Sequence, residues 1–458
     1  MSNPWKACDI RGVFPTEVSP DLFRRLGAGI GSTLPMGARV IVAGDHRGST
    51  PQLRDILIES LQGAGSRVLD AGRIPTPIAY FAHRKWNTDA VTMVTASHNP
   101  AAYNGLKLML GELPPTPQDF GQLRRRVERG DFRQHQGGLE TIDPVPAYTA
   151  HALERWNHLR HPGGKTVVLD AGNGAWSDLA PQLFVSLGFH VVPLFCKIDG
   201  TFPSRPPDSA RPNNLAELRK EVVRTRAQLG VAWDGDGDRV AFVDDSGSVL
   251  TADETSALMI RALLPRERGG KVIHDIKMSD MVRQAVTECG GVPIMERSGH
   301  AFIKRSIIAH NALFGCEVSG HYFFRELGGG DDGMFAALFM AELLQRQGLS
   351  LAQLRGTLAP CFVTPDLRIP LQVVSFAEVV RRFRKSFPDS REITIDGVRS
   401  ETRDGFILAR ESVTEPVVTI RLEGRDQDSL NHLVETCLKA LPEAAEEISD
   451  QLDGERIS

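Results

Sequence analysis

The sequence predicts an α/β protein: three similar α/β domains with mixed, mainly parallel sheets, followed by a smaller C-terminal α+β domain. Two recurrences predict it. An apolar run ending in Asp and followed by a helix-like segment occurs three times, at Val40–Asp45, Val167–Asp170 and Val272–Asp275. After each, a second apolar run ends in a polar loop. Strands alternating with helices argue for parallel α/β units.

The first unit shows the pattern most clearly. Ser49 or Thr50 can cap a helix, Pro51 suits its first turn, and Leu53, Ile56, Leu57 and Leu61 share one face. The second unit carries Leu183, Phe184 and Leu187 in its helix, and the third Met281, Val282, Ala285 and Val286. The later apolar runs are Ala90–Val94, Leu229–Trp233 and Ala312–Phe314, leading into loops at 95–100, 234–239 and 315–321. Function gathers at the carboxyl ends of parallel strands, where all three loops are expected. Beyond Pro365 the pattern changes. Glu392–Ile395, Gly405–Ala409 and Val417–Leu422 read as strands, with a turn at Asp396-Gly397 and a helix from about Asp426 to Leu441. The expected domains are 1–145, 146–251, 252–362 and 363–458.

Composition narrows the function. With 41% apolar residues, 24% charged residues and a formal net charge of −4, the chain reads as soluble and globular. It has no global basic field for nucleic acid or anionic membrane. The tract Arg124–Arg126 is followed by Glu128 and reads as a solvated helix face. The six cysteines form no CxxC pair, as expected of reduced thiols. The opening residues lack an apolar signal region, and no stretch approaches the about 18 apolar residues of a membrane span. These features predict a cytoplasmic protein.

Four loops carry candidate chemistry. Asp234, Asp236 and Asp238 alternate with glycines after an apolar run. Three clustered carboxylates repel unless a hard divalent cation joins them, and oxygen-only ligands suit magnesium. An EF-hand would need Gly where Arg239 stands, and an Asp-nucleophile phosphatase motif would need Thr or Val at Asp238. Ser97, in Thr95–Pro100, is a hydroxyl on a tight loop, and Lys107 is a cation able to reach a phosphoryl group there. A polar turn with a capping Ser is the plainer reading of the same residues. In the third loop Glu317, Ser319 and His321 alternate, so an extended backbone would aim them together at vicinal hydroxyls. His321 could also exchange a proton near neutral pH, or be a structural His. Finally Arg410, Ser412 and Thr414, with Arg421 on the next strand, suit a phosphate dianion. An ordinary hairpin would look similar.

In this order the four loops resemble the α-D-phosphohexomutase family across essentially the whole chain. TASHNP resembles its phosphoserine loop, DGDGDR its magnesium loop, CEVSGH its sugar-recognition loop and 410–416 its phosphate-binding loop. KACDIRG (6–12) is similar to the opening of the phosphomannomutase/phosphoglucomutase branch. Asp331-Asp332-Gly333 also fits the family pattern. The sequence departs from it at Cys8, Arg205, Cys316 and Val413, none of which is a proposed metal ligand or nucleophile.

The resemblance implies four domains around a central cleft and a mutase acting on hexose 1- and 6-phosphates of mannose or glucose. Phosphorylated Ser97 and a bisphosphorylated sugar would be its intermediates. It implies Mg2+ held by Ser97, Asp234, Asp236 and Asp238, with glucose 1,6-bisphosphate or the mannose equivalent as activator. Arg11 and Lys107 would assist transfer, with His321 as general base. Arg239, Lys277, His300, Glu317, Ser319 and His321 would bind the sugar phosphate, and Arg410, Ser412, Thr414 and Arg421 the idle phosphate. A phosphoglucosamine mutase and a magnesium-dependent sugar phosphatase are the alternatives. The expected partners are small sugar phosphates, with no nucleic acid and no membrane, and the chain is expected to act as a monomer or dimer.

Overall fold

The computed structural model describes residues 3–160, 165–412 and 416–456. In the first unit, Arg39–Gly44 lies between two parallel strands, Arg67–Arg73 and Ala90–Val94. In the second, Thr166–Asp170 lies between His190–Leu194 and Leu229–Trp233. In the third, Lys271–Asp275 lies between Val292–Glu296 and Phe314–Cys316. Each unit then folds back through an antiparallel strand, Tyr103–Leu110, Val240–Val243 or Tyr322–Phe324, beside the last of these. The three polar loops are therefore equivalent. Each is the hairpin connection between a buried parallel strand and its antiparallel return.

Two local expectations need correction. The third loop-bearing strand is Phe314–Cys316, not 312–314. Asn311, in the left-handed conformation at φ 48°, ends the preceding helix, so residues 312 and 313 are spent reaching the sheet. Just before the expected boundary at 145, where the sequence predicts no strand, Gly138–Thr141 is an edge strand on Arg67–Asp70. All four of its residues are exposed, so no apolar alternation announced it.

The C-terminal sheet is antiparallel through Arg391–Ile393, Val398–Glu401, Gly405–Glu411 and Val417–Gly424. Val398–Glu401 was not foreseen. The helix Gln427–Ala440 begins where Asp426 accepts the backbone N–H of Ser429.

The first three units share one hydrophobic core, reaching from Ile41 and Met93 through Val167 and Trp233 to Phe314 and Phe335. A large side chain buried in such a core contributes about 1.5–3 kcal/mol, so these units hold together as a block. The C-terminal domain keeps its own core around Leu367, Ile407 and Leu433. It meets the third unit through Phe406 and Leu408 on Ile276, and through ion pairs such as Arg399–Asp280 at 2.9 Å. Among the described residues, no helix is long and apolar enough to cross a membrane.

Candidate active site

Ser97 is buried at the tip of the first loop with φ +50°, a left-handed conformation that costs a non-glycine residue roughly 1–2 kcal/mol. The surroundings hold it there. Its backbone N–H donates to Thr95 Oγ1 at 2.9 Å, and Thr95 donates to Asp45 at 2.8 Å. Fully buried Arg47 donates at 2.6 Å to each of the carbonyls of Ser97, Asn99 and Pro100, while its Nε binds Asp45 at 2.9 Å. Arg47 and Asp45 form a scaffold for this loop that the sequence reading missed. The available signal was a charged i, i+2 pair at the carboxyl end of an apolar strand.

The aspartate loop meets Ser97 directly. Ser97 Oγ donates to Asp234 Oδ2 at 2.6 Å across 137 residues of sequence. This approach needs Gly235, because a Cβ there would lie 2.6 Å from the Ser97 carbonyl oxygen. Gly237, at φ +82°, places its carbonyl on Trp176 Nε1 at 2.9 Å. Asp234 Oδ1 accepts from the N–H groups of Gly237 and Arg239. Asp236 Oδ2 accepts from Thr76 Oγ1 and from Lys107 Nζ, both at 2.7 Å, and Lys107 also pairs with Asp238.

The donor set fits a hard divalent cation. Asp234, Asp236 and Asp238 offer oxygens within 4.8 Å of one another, and Oδ1 of Asp236 is buried without a hydrogen-bond partner among the described residues. Burial, with Asp236 and Asp238 nearby, raises the Asp234 carboxyl to about 7. Burial and Asp238 push Asp236 up as well, but Lys107 outweighs them and holds it below its ordinary value. Asp238 is also buried, yet Lys107 and His321 hold it well below.

The third loop joins the second by a bridge between Arg239 and His321 and by Val240 N–H on the Gly320 carbonyl. Glu317, Ser319 and His321 converge as expected, though not on an extended backbone. A tight turn with Gly320 at φ +87° brings them together. Ser319 Oγ is 2.9 Å and Glu317 Oε2 3.0 Å from His321 Nδ1, and Glu317 Oε1 accepts the Gly299 N–H at 2.7 Å.

His321, expected as the general base, stands among carboxylates. Burial would lower its pKa, but Asp238, 3.3 Å from Nε2, outweighs this and, with Glu317, raises it to about 10. An imidazolium has no lone pair with which to take a proton. His300 is neutral instead, lowered to about 4 by burial and then by Lys107. So is His98, whose Nδ1 is 3.4 Å from Ser97 Oγ and whose pKa burial pushes well down.

Arg11 donates to Asn99 Oδ1 at 2.8 Å and pairs with Asp9, which places it against the serine loop. Lys277 is engaged by Asp366 at 2.6 Å. At the C-terminal domain, Arg410 binds Asp396, whose carboxylate also accepts the Ser298 N–H at 3.1 Å. Arg421 lies on the same sheet face, since its register partner is Leu408. Its guanidinium is nevertheless held by Asp253 at 3.2 Å and Asp366 at 3.5 Å. The expected clamp of Arg421 with Arg410 is therefore not formed in this arrangement. Ser412 donates its N–H to Val417. Thr414 and Val413 lie outside the described residues.

Arg205, the departure in the second unit, is a buried strut rather than a site residue. It binds Asp170 at 2.8 Å and the Trp233 carbonyl at 2.7 Å, just before the aspartate loop. The structure also brings Asp331 to the site, 3.7 Å from His321 Nε2, with its Oδ2 lacking a hydrogen-bond partner among the described residues.

A serine, an acidic triplet and the Glu317–His321 turn, brought together from three units, define a site suited to phosphoryl transfer, and comparison with known proteins agrees. Residues 5–134, 146–247 and 251–362 match domains I, II and III described as "Phosphoglucomutase/phosphomannomutase, alpha/beta/alpha", and 370–440 match the C-terminal domain. The chain is 32% identical to the phosphomannomutase/phosphoglucomutase of Pseudomonas aeruginosa, over 94% of this chain and 93% of that one. It is 34% identical to the phosphoglucomutase of Neisseria gonorrhoeae, over 94% of each. A crystal structure of a phosphoglucomutase/phosphomannomutase family protein from Burkholderia thailandensis superposes with a TM-score of 0.88 at 34% identity, covering 96% of this chain and 97% of that one. The chain belongs to the phosphoglucomutase/phosphomannomutase family, the α-D-phosphohexomutases, and is an enzyme of intramolecular phosphate transfer.

Proposed function

We propose that the enzyme interconverts hexose 1-phosphate and hexose 6-phosphate, of mannose, glucose or both, by way of phosphorylated Ser97 and a bisphosphorylated sugar. The contact of Ser97 Oγ with Asp234 Oδ2 at 2.6 Å carries the reading. It sets the Ser97 hydroxyl against the acidic triplet.

In the forward half-reaction the Ser97 Oγ–P bond breaks as a bond forms from phosphorus to the free sugar hydroxyl. The hydroxyl's proton leaves to a neutral imidazole, for which the site offers His98 and His300. The bisphosphate then reorients and returns its other phosphoryl group to Ser97. Transfer of this kind needs alignment and charge neutralisation more than covalent chemistry. Mg2+ held by Ser97, Asp234, Asp236 and Asp238 would supply part of that neutralisation. Lys107 keeps Asp236 and Asp238 ionised, and Arg11 and Arg239 bring cations to the transferred group. Each has a buried Nε–H with no acceptor among the described residues, a costly arrangement that a phosphate oxygen relieves. Charged His321 anchors an anion, while Glu317 and Ser319 address sugar hydroxyls. Lys277, Arg410, Ser412, Thr414 and, once released from Asp253 and Asp366, Arg421 would hold the idle phosphate.

We place the enzyme in the cytoplasm, as a monomer or dimer, with glucose 1,6-bisphosphate or its mannose counterpart as activator. The test is intact-mass analysis before and after incubation with glucose 1,6-bisphosphate, followed by assays on mannose, glucose and glucosamine phosphates. A phosphoryl mass gain absent from Ser97→Ala, with isomer as product, is expected. Release of inorganic phosphate in place of isomer would select the phosphatase reading.

A further inference from the structure

A cavity of about 740 Å³ opens along the seam between the first and third units. Its walls are the helix Thr76–Trp86, the end of the strand Tyr103–Leu110 and the helix His300–His310. Tyr80, Met109 and Ile307 give it an apolar side and Arg84 and Lys304 its cations; Asp89 and Glu112 also line it, and burial lowers the pKa of His83. Its size is that of small-molecule sites, typically about 300–1,000 Å³.

Lys304 is the reason to read it as a site. The side chain is 5% exposed. Its ammonium has three N–H donors, yet its one hydrogen-bond partner among the described residues is the Met109 sulfur at 3.4 Å. It lies over the Tyr80 ring at 5.1 Å, and among the described residues it forms no ion pair. Buried ammonium groups are ordinarily paired, because a desolvated charge without an acceptor is expensive. Burial lowers its pKa to about 8, so most of it stays charged near neutral pH. The nearby cation Arg325 is already satisfied by Glu267.

We propose that this cavity binds a compact organic oxyanion, a phosphate or carboxylate head on a partly apolar body, with the head on Lys304. The ammonium and Arg84 meet the charge, and Met109, Ile307 and the Tyr80 ring cover the body. None of the residues lining the cavity belongs to the loops that bear Ser97 and the aspartates.

The experiment uses the full chain with its lysines reductively 13C-methylated and followed by NMR. The signal missing from Lys304→Arg identifies residue 304, and the signals of Lys107 and Lys277 report the reaction site separately. One arm is titrated with inorganic phosphate and the other with benzoate. Saturable movement of the residue 304 signal in either arm is expected, and the arm that responds identifies the oxyanion. Calorimetric titration of Lys304→Met, its fold checked by thermal unfolding, should show the same anion bound at least tenfold more weakly. A residue 304 signal that stays still in both arms overturns the site, as does undiminished affinity in Lys304→Met.

Discussion

Lys107 Nζ lies 2.7 Å from Asp236 Oδ2, joining the first unit to the second across 129 residues of sequence. The same ammonium also pairs with Asp238. It thus does from the protein side part of what a divalent cation does among three crowded carboxylates. Lys107→Met leaves those acids buried without that partner, a change that typically costs about 3–5 kcal/mol. Magnesium should compensate, so its addition should raise the melting temperature more in Lys107→Met than in the unaltered protein. Equal gains in the two proteins would show that ammonium and metal do not share these carboxylates.

The metal assignment has a more direct consequence. Asp234→Asn removes a charge from the triplet but keeps the acceptors for Gly237 and Arg239. Calorimetric titration should show magnesium affinity reduced at least tenfold, and mutase turnover should fall by two orders of magnitude or more. A variant with unaltered affinity places the ion elsewhere.

Arg47 supports Ser97 without touching the reacting atoms. Arg47→Met removes three short bonds to loop carbonyls and leaves Asp45 buried and without its cation. The expected loss is about 3–5 kcal/mol of stability. Turnover should drop a hundredfold or more, with smaller effects on KM, because the left-handed Ser97 would relax. Arg47→Lys should not rescue turnover, since one ammonium cannot reach three carbonyls at once. Urea unfolding and steady-state kinetics on both variants decide the matter.

His321 links stability to pH. Its folded pKa of about 10 lies above the ordinary value of 6.5. The folded state therefore holds this proton more tightly than the unfolded chain does. The stabilisation is fully present below about pH 6.5, declines above it and is gone once the pH has risen through about 10. His321→Gln should lack this component. The stability difference between the two proteins should accordingly shrink from pH 6.5 to 10, as measured by urea unfolding across that range. A constant difference would mean that His321 is neutral in the folded enzyme.

These residues also show which parts of the site the sequence exposed. Ser97, the aspartate triplet and the Glu317–His321 turn each follow a buried strand, and the threefold strand pattern revealed that position. Local periodicity says nothing about partners brought in from a distance. Arg421 was correctly placed on a strand beside Arg410, but its engagement by Asp253 and Asp366 depends on how the C-terminal domain meets the third unit. His321 was recognised as titratable, yet its charge is set by Asp238 from another loop. The edge strand Gly138–Thr141 is wholly exposed, so it left no apolar trace in the sequence.

Gly235 tests the convergence of the loops without altering any charge. A methyl group there would meet the Ser97 carbonyl oxygen at 2.6 Å, and also the Phe202 ring and Pro207 at 3.3 Å. The carbonyl is itself held by Arg47 at 2.6 Å, so it has little room to retreat. The easier response is for the aspartate loop to move away from Ser97. Gly235→Ala should therefore cut turnover by a hundredfold or more while the far-ultraviolet circular dichroism stays native. Gly63→Ala is the control, because nothing lies within 4 Å of that position and it closes the helix Thr50–Gly63. Alanine there should keep full turnover and raise stability by up to about 1 kcal/mol. Full activity in Gly235→Ala would mean that catalysis does not need Ser97 and Asp234 as close as they stand, and the shared metal site would then have to be abandoned.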